Sequence, residues 1–341
     1  MNNEARFRLD TEALSEYLQS VIHGFHGPVA ATKFDNGQSN PTYKLEASSG
    51  VYVLRRKPPG TLLKSAHAVE REFKVMSALR DSAVPVAQTF HLCENEDIIG
   101  SAFFIMEYVD GRVLWDPALP DIALSQRSAY FDVMAETLAS VHSVDIESVG
   151  LSDFGRPSGY LQRQISLWTR QYRGSETQTL ADMEYLIHAL PEHCPTDDDR
   201  VALVHGDFRL DNMMFHPDRI EVRALMDWEL STLGHPFTDL AYQCMQLRMP
   251  NGGLMSGLGG VDRQKNGLPD EQAYLERYCN LMDLPRIDQW PFFLALSFFR
   301  FAAILQGVKK RALEGNASSD KALKMGEFVA PLASMGREQL M

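Results

Sequence analysis

The sequence predicts an α+β chain in two parts, a small antiparallel-sheet lobe over residues 1–108 and a larger, mainly helical lobe over 109–341. Three observations lead there. Strand-like segments separated by turn residues fill most of the first hundred positions. From about Asp121 onward the pattern becomes helical, and only Arg200–Trp228 breaks it with short apolar runs. With 341 residues, 45% of them hydrophobic, the chain is long and apolar enough to bury the cores of two such parts.

Taken in order, "TEALSEYLQSVI" reads as a short amphipathic helix, and "VAATKFD", "TYKLEAS" and "VYVLRRK" read as the strands of a meander turned by "NGQSNP" and "SSG". A helix follows in "SAHAVEREFKVMSAL", where Ala68, Phe73, Met76 and Leu79 recur near helical spacing. "VAQTFHLC" and "SAFFIMEYV" are two further strands, and Tyr108–Gly111 is a short connector. Beyond it, "ALSQRSAYFDVMAETLASVHSV" and "DEQAYLERYCNLM" carry helical patterns, while "VALVH", "NMMFH" and "IEVRALMDW" are strand-like. The stretch "WPFFLALSFFRFAAIL" is shorter than the ~20 residues of a membrane span and contains Arg300, so it is expected as a buried core helix. The glycine-rich "MPNGGLMSGLGGVDRQKNG" is expected as a mobile loop suited to gating a substrate.

Composition narrows the function. A formal charge of -12 argues against a broad nucleic-acid footprint, which needs clustered Lys and Arg. Cys93, Cys194, Cys244 and Cys279 stand far apart without a CxxC pair, so neither a zinc knuckle nor a disulfide scaffold is expected, and a reducing cytoplasm fits. The polar "MNNEARFRLD" lacks the apolar core of a secretion signal. The expected partner is a small molecule rather than a nucleic acid or a membrane.

The chemistry concentrates in "LVHGDFRLDNMMF". An Asp that orients or deprotonates a hydroxyl, an Asn five positions on, and another Asp beyond a strand pair form the arrangement that holds magnesium on a nucleotide's phosphates. That metal takes hard oxygen ligands, and phosphoryl transfer depends on positioning and charge neutralisation. Asp207, Asn212 and Asp227 fill the three places. In "VYVLRRK", strand alternation puts Val51, Val53, Arg55 and Lys57 on one face, leaving two candidate cations.

Together "YVLRRKPPG", "SAHAVEREF", "HGDFRLDN" and "DWELSTLGHPFTDLAY" resemble the aminoglycoside phosphotransferase family, which has a bilobal protein-kinase-like fold. More narrowly they resemble the kinase-like domain associated with acyl-CoA dehydrogenases, a branch linked to phosphorylating hydroxylated acyl chains. The resemblance implies ATP and Mg2+ as cofactors, Asp207 as catalytic base, and Asn212 and Asp227 as metal ligands. It implies that Arg209 lies near the transferred phosphoryl, that His205 braces the loop, and that Asp239 accepts hydrogen bonds from the loop backbone. Asp211 carries no assigned role beyond loop support.

The family's phosphate-binding Lys aligns with Arg55, a departure because Arg is bulkier and not interchangeable with Lys. Lys57 remains the rival, although Pro58 marks the end of the strand there. The bridging glutamate is implied to be Glu72, with Glu70 about 200° around the helix. Gly37, Gln38, Ser39 and Asn40 stand where the family covers the phosphates, and Met106, Glu107 and Val109 where it holds adenine. Arg163, Arg170, Arg173 and Arg248 fall in segments able to line an acceptor cleft.

The expected reaction is ATP-dependent transfer of a γ-phosphoryl group to the hydroxyl of a small molecule, a hydroxyacyl compound or its CoA ester. An aminoglycoside acceptor is one alternative. Others are a metal-dependent phosphohydrolase drawing on His205, Asp207, Asp211, His216, Asp227 and His235, and a nucleotide-binding pseudokinase.

Overall fold

Asp10 caps the first helix, α1 (Thr11–Val21), by accepting a hydrogen bond from the Ala13 amide at 3.0 Å. The computed structural model describes residues 9–34, 40–58, 68–156, 158–196, 200–314 and 320–341. The chain divides into two compact units, the first made of Met1–Val113, Glu147–Leu151 and Asn212–Ser231, the second of Leu114–Ile146, Ser152–Asp211 and Thr232–Met341.

In the first unit, β1 (Ala30–Lys33), β2 (Thr42–Ala47), β3 (Gly50–Arg56), β4 (Thr89–Cys93) and β5 (Phe103–Glu107) form one antiparallel sheet in the order β1-β2-β3-β5-β4. The expected meander is its first half, with Leu45 opposite Tyr52 and Thr42 opposite Arg55. One apolar cluster joins Leu14 and Leu18 of α1 to Tyr43, Leu45, Leu54, Phe103 and Ile105 of the sheet.

Helix α2 (Val69–Ala78) packs on β4 and β5. Of the stripe expected on α2 and just beyond it, Met76 and Leu79 are buried and Phe73 meets the Phe104 ring at 6.0 Å, while the buried face also takes in Val69, Glu72 and Val75. A carboxylate on that face is tolerable only with a partner. Arg112–Val113, Met213–Phe215 and Val222–Leu225 make a second, three-stranded antiparallel sheet in which the last two form a hairpin. A Cβ on Gly111 would stand 2.5 Å from the Phe215 carbonyl oxygen, so the connector passes this sheet only as glycine.

The second unit is mainly helical: α3 (Leu124–His142), α4 (Tyr160–Ser175), α5 (Ala181–Glu192), α6 (Phe237–Arg248), α7 (Glu271–Leu281), α8 (Trp290–Leu313), α9 (Asp320–Gly326) and α10 (Val329–Glu338). Ala202–Val204 pairs antiparallel with Thr232–Gly234. "VALVH" and "NMMFH" therefore lie in different sheets although only a loop separates them.

As expected, the apolar stretch is a core helix. α8 is long and apolar enough to cross a membrane by length and composition, yet most of it is buried inside the protein, where it packs against α4, α6 and α10. The glycine-rich segment expected to be mobile is tied down by backbone bonds: Gly257 to the Pro250 carbonyl at 3.0 Å, Leu258 to Leu247 at 2.8 Å and Gly259 to Met249 at 2.8 Å.

Candidate active site

In the first unit Arg55 of β3 and Lys57, just past the end of that strand, enter two separate pairs. Lys57 Nζ lies 2.9 Å from Glu70. Arg55 Nε lies 2.7 Å from Glu72 Oε2, and its Nη2 donates to Asp227 Oδ1 at 2.6 Å, with Glu229 3.9 Å away. One guanidinium thus faces three carboxylates.

Glu72 is 2% exposed, and its other oxygen accepts from the Asn40 side-chain amide at 2.7 Å. Burial pushes the Glu72 carboxyl up to about 7; Arg55 opposes the rise, and Asp227 and Glu229 add to it. Burial alone would lower the Arg55 pKa, but Glu72, Asp227 and Glu229 outweigh it and raise it above the usual arginine value. Asn40 thus orients Glu72 through its side chain. Gly37, Gln38 and Ser39 lie outside the described residues.

Asp227 follows the strand Val222–Leu225 and has a left-handed backbone, φ 65° and ψ 56°. For a residue other than glycine this conformation is uncommon and costs energy, and such strain gathers at functional sites. Two bonds hold it: the Met226 amide donates to the Asn212 carbonyl at 2.8 Å, and the Trp228 indole donates to the Leu225 carbonyl at 2.9 Å. Asn212, 8% exposed, is thereby kept beside the Asp227 turn.

At the end of β5, Met106 pairs with Val53, and the Glu107 amide donates to the Gln88 carbonyl at 2.8 Å. The Val109 amide, just past that strand, donates to no group among the described residues.

In the second unit, Ala202–Val204 leads into the His205–Asp211 loop. Asp239, in the first turn of α6, is 1% exposed and accepts from the His205 amide at 2.6 Å and the Gly206 amide at 2.8 Å. His142 Nε2 stands 3.4 Å from the same carboxylate, and its Nδ1 pairs with the Tyr278 hydroxyl at 2.7 Å. Burial would raise the Asp239 carboxyl, but His142, His205 and the Gly206 amide outweigh it and hold it below the usual carboxylate range. His205 is fully buried, and its Nδ1 accepts from the Asp207 amide at 3.2 Å, so it braces the loop.

Arg209 lies 3.5 Å from Asp207 and 2.8 Å from Asp211. Asp211 therefore has a physical role, which is to hold the Arg209 guanidinium.

Two residues around Asp207 escaped the sequence reading. The Tyr242 phenol hydrogen-bonds the Asp207 carboxylate. Arg300 donates to the Gly206 carbonyl at 2.5 Å, with its guanidinium 4.8 Å from the Tyr242 ring and 5.3 Å from that of Trp168. Arg300 was visible only as a charge in an apolar run, and nothing in its spacing tied it to the loop.

Three of the arginines considered for an acceptor cleft have structural partners. Arg163 bonds the Arg156 and Ser158 carbonyls, Arg173 holds Glu184, and Arg248 is bidentate to Glu271 at 2.6 and 2.7 Å. The histidines of the hydrolase alternative are also engaged. His216 accepts from the Asp218 amide at 3.0 Å, and His235 packs against Phe237 and Phe293. Among the described residues no three His, Cys, Asp or Glu gather as a metal site.

A family model described as "Phosphotransferase enzyme family" matches residues 30–277. The chain is 47% identical over 327 residues to acyl-CoA dehydrogenase family member 10 of Mus musculus, covering 95% of this chain and 30% of that protein. It thus spans under a third of that relative's length. A crystal structure from Ralstonia eutropha, provisionally called an aminoglycoside phosphotransferase, superposes with a TM-score of 0.90 at 46% identity over 98% of both chains. Spectinomycin phosphotransferase, solved with ADP and spectinomycin, gives 0.63 at 14% identity over 98% of this chain and 99% of that one, a likeness of fold.

Proposed function

Because the chain belongs to the phosphotransferase enzyme family, we propose that it moves the γ-phosphoryl group of ATP to the hydroxyl of a small molecule, a hydroxyacyl compound or its CoA ester. The observation that carries this reading is the Arg55 guanidinium held between Glu72 and Asp227, a fixed cation beside a half-buried carboxylate, as binding a nucleoside triphosphate requires. ADP in the spectinomycin phosphotransferase complex supports the nucleotide, and the acyl-CoA dehydrogenase relatives support the acceptor class.

The residues fit magnesium. Asp227 and Asn212 offer a carboxylate and an amide oxygen on neighbouring turns, and Mg2+ is typically held by one or two carboxylates plus phosphates and water. When bound, the ion neutralises charge on the phosphates.

The chain's own groups do the rest. Asp207 orients the acceptor hydroxyl and takes its proton as the acceptor oxygen bonds to the γ-phosphorus. The bond from that phosphorus to the β,γ-bridging oxygen breaks, and its electrons leave with ADP. Arg55 and Arg209 neutralise charge along the way, and Glu107 and Val109 offer backbone groups to adenine. Expected in the cytoplasm, the enzyme meets ATP there.

The test is a coupled assay of ADP release with Mg·ATP against aminoglycosides, free hydroxy acids and hydroxyacyl-CoA thioesters. Turnover confined to the acyl compounds is the expected result. Turnover confined to aminoglycosides would overturn the acceptor class, and phosphate release without any acceptor dependence would overturn the transferase reading.

A further inference from the structure

A carboxylate that must meet an acceptor hydroxyl cannot also be free to rotate, and Asp207 has a competitor, since Arg209 approaches it at 3.5 Å. The opposing hold comes from α6. Asp239 and Tyr242 are three residues apart on this helix, a spacing that puts both on one face. Asp239 takes the His205 and Gly206 amides, and Tyr242 takes the Asp207 side chain. One helical turn thus fixes the loop's backbone and its carboxylate together.

A third support arrives from α8. Arg300 donates to the Gly206 carbonyl and stacks on the Tyr242 ring, and its guanidinium also lies over the ring of Trp168 on α4, 5.3 Å from the centroid. Gly206 is therefore tied at both its amide and its carbonyl, and the phenol cannot turn away without losing its cation contact. Tyr242 is 4% exposed. Burial first, then the neighbouring Asp207 charge, push its hydroxyl well above the ordinary tyrosine range, with Arg300 and Arg209 opposing. The hydroxyl therefore stays protonated and acts as the donor.

We infer that Tyr242 is a positioning residue for Asp207, holding one carboxylate oxygen so that the other faces the acceptor, and that Arg300 locks Tyr242 in place. The inference rests on Asp207 serving as the base in the proposed reaction.

The experiment compares wild type, Tyr242→Phe, Arg300→Met and Asp207→Ala. It reads ADP release with Mg·ATP and 3-hydroxybutyryl-CoA, thermal midpoints, and crystal structures of wild type and Tyr242→Phe. Tyr242→Phe keeps the ring and its stacking but loses a hydrogen bond to a charged acceptor, so kcat should fall on the order of tenfold or more. The KM for ATP and the thermal midpoint should stay put, and the Asp207 carboxylate should turn toward Arg209 in the variant crystal.

An unmoved carboxylate overturns the inference even if no turnover is seen with this acceptor. So does a kcat within twofold of wild type, or a loss matched by a rise in the KM for ATP. Retained turnover in Asp207→Ala would instead sink the proposed mechanism, which separates the two failures.

Discussion

Asp239→Asn is the sharpest probe of the loop's support, because it changes one atom and keeps the shape. Oδ1 accepts from the Gly206 amide, and Oδ2 accepts from the His205 amide and stands near His142. An asparagine has a single acceptor oxygen, so one of the two backbone donors must face an NH2 group. A buried donor left without a partner costs about 1–3 kcal/mol, and the remaining bond loses roughly 1 kcal/mol of charge assistance. The expected destabilisation is about 2–4 kcal/mol, a large share of the ~5–15 kcal/mol that holds a domain folded. At roughly 2–4 °C per kcal/mol for a unit of this size, the thermal midpoint should drop by about 5–15 °C.

The pH dependence has a definite sign. Asp239 is held below the usual carboxylate range, so its contribution is present above that range and is lost as pH falls through the depressed value. The gap between wild type and variant should therefore be full at neutral pH and close only in strong acid. Thermal unfolding followed by circular dichroism, with amide exchange at His205 and Gly206, measures both. A midpoint within about 2 °C of wild type, with both amides equally protected, would refute the idea that this carboxylate carries the loop.

Other outcomes follow from the same geometry. Asp207→Ala should remove turnover while isothermal titration still shows Mg·ATP binding, whereas Asp227→Asn should weaken both. Glu72, raised to about 7, adds stability below its unfolded value near 4.5 and loses that contribution as pH climbs through 7. Unfolding free energies from urea titrations of wild type and Glu72→Gln should accordingly diverge between pH 5 and pH 8, by on the order of 3 kcal/mol at most for the nucleotide-free protein. Gly206, at φ 86°, should tolerate alanine poorly, with a loss of about 1–2 kcal/mol visible as a lowered thermal midpoint.

Much of this was legible in the residues, for identifiable reasons. Alternation in "VYVLRRK" set Arg55 apart from its neighbours, and in β3 Leu54 and Arg56 are buried while Arg55 is half-buried; Lys57, expected on the same face, falls just past the strand, which ends at Arg56. The helices α3 and α7 and the hairpin after Asn212 follow from local patterning in the same way. What pairs with what was less accessible. Glu72 reached Arg55 through a family resemblance, since from spacing alone Glu70 was an equal partner for either cation. Tyr242 and Arg300 approach Asp207 from helices 35 and 93 positions further along the chain, and no periodicity encodes such a meeting. The glycine-rich segment misled for a related reason: glycine marks both loose chain and close backbone approach, and here Gly257 and Gly259 lie hard against the Gln246, Arg248 and Met249 carbonyls.

The unusual turn at Asp227 also restricts what evolution or a protein engineer can put there. Only side chains short enough to sit comfortably in the mirror-image basin, aspartate and asparagine foremost, are compatible with the peptide geometry. Glutamate would preserve the charge, but it would strain the main chain and carry its oxygens one carbon too far. A conservative exchange by charge is thus a disruptive one by shape, and at this position asparagine is the gentler way to remove the negative group.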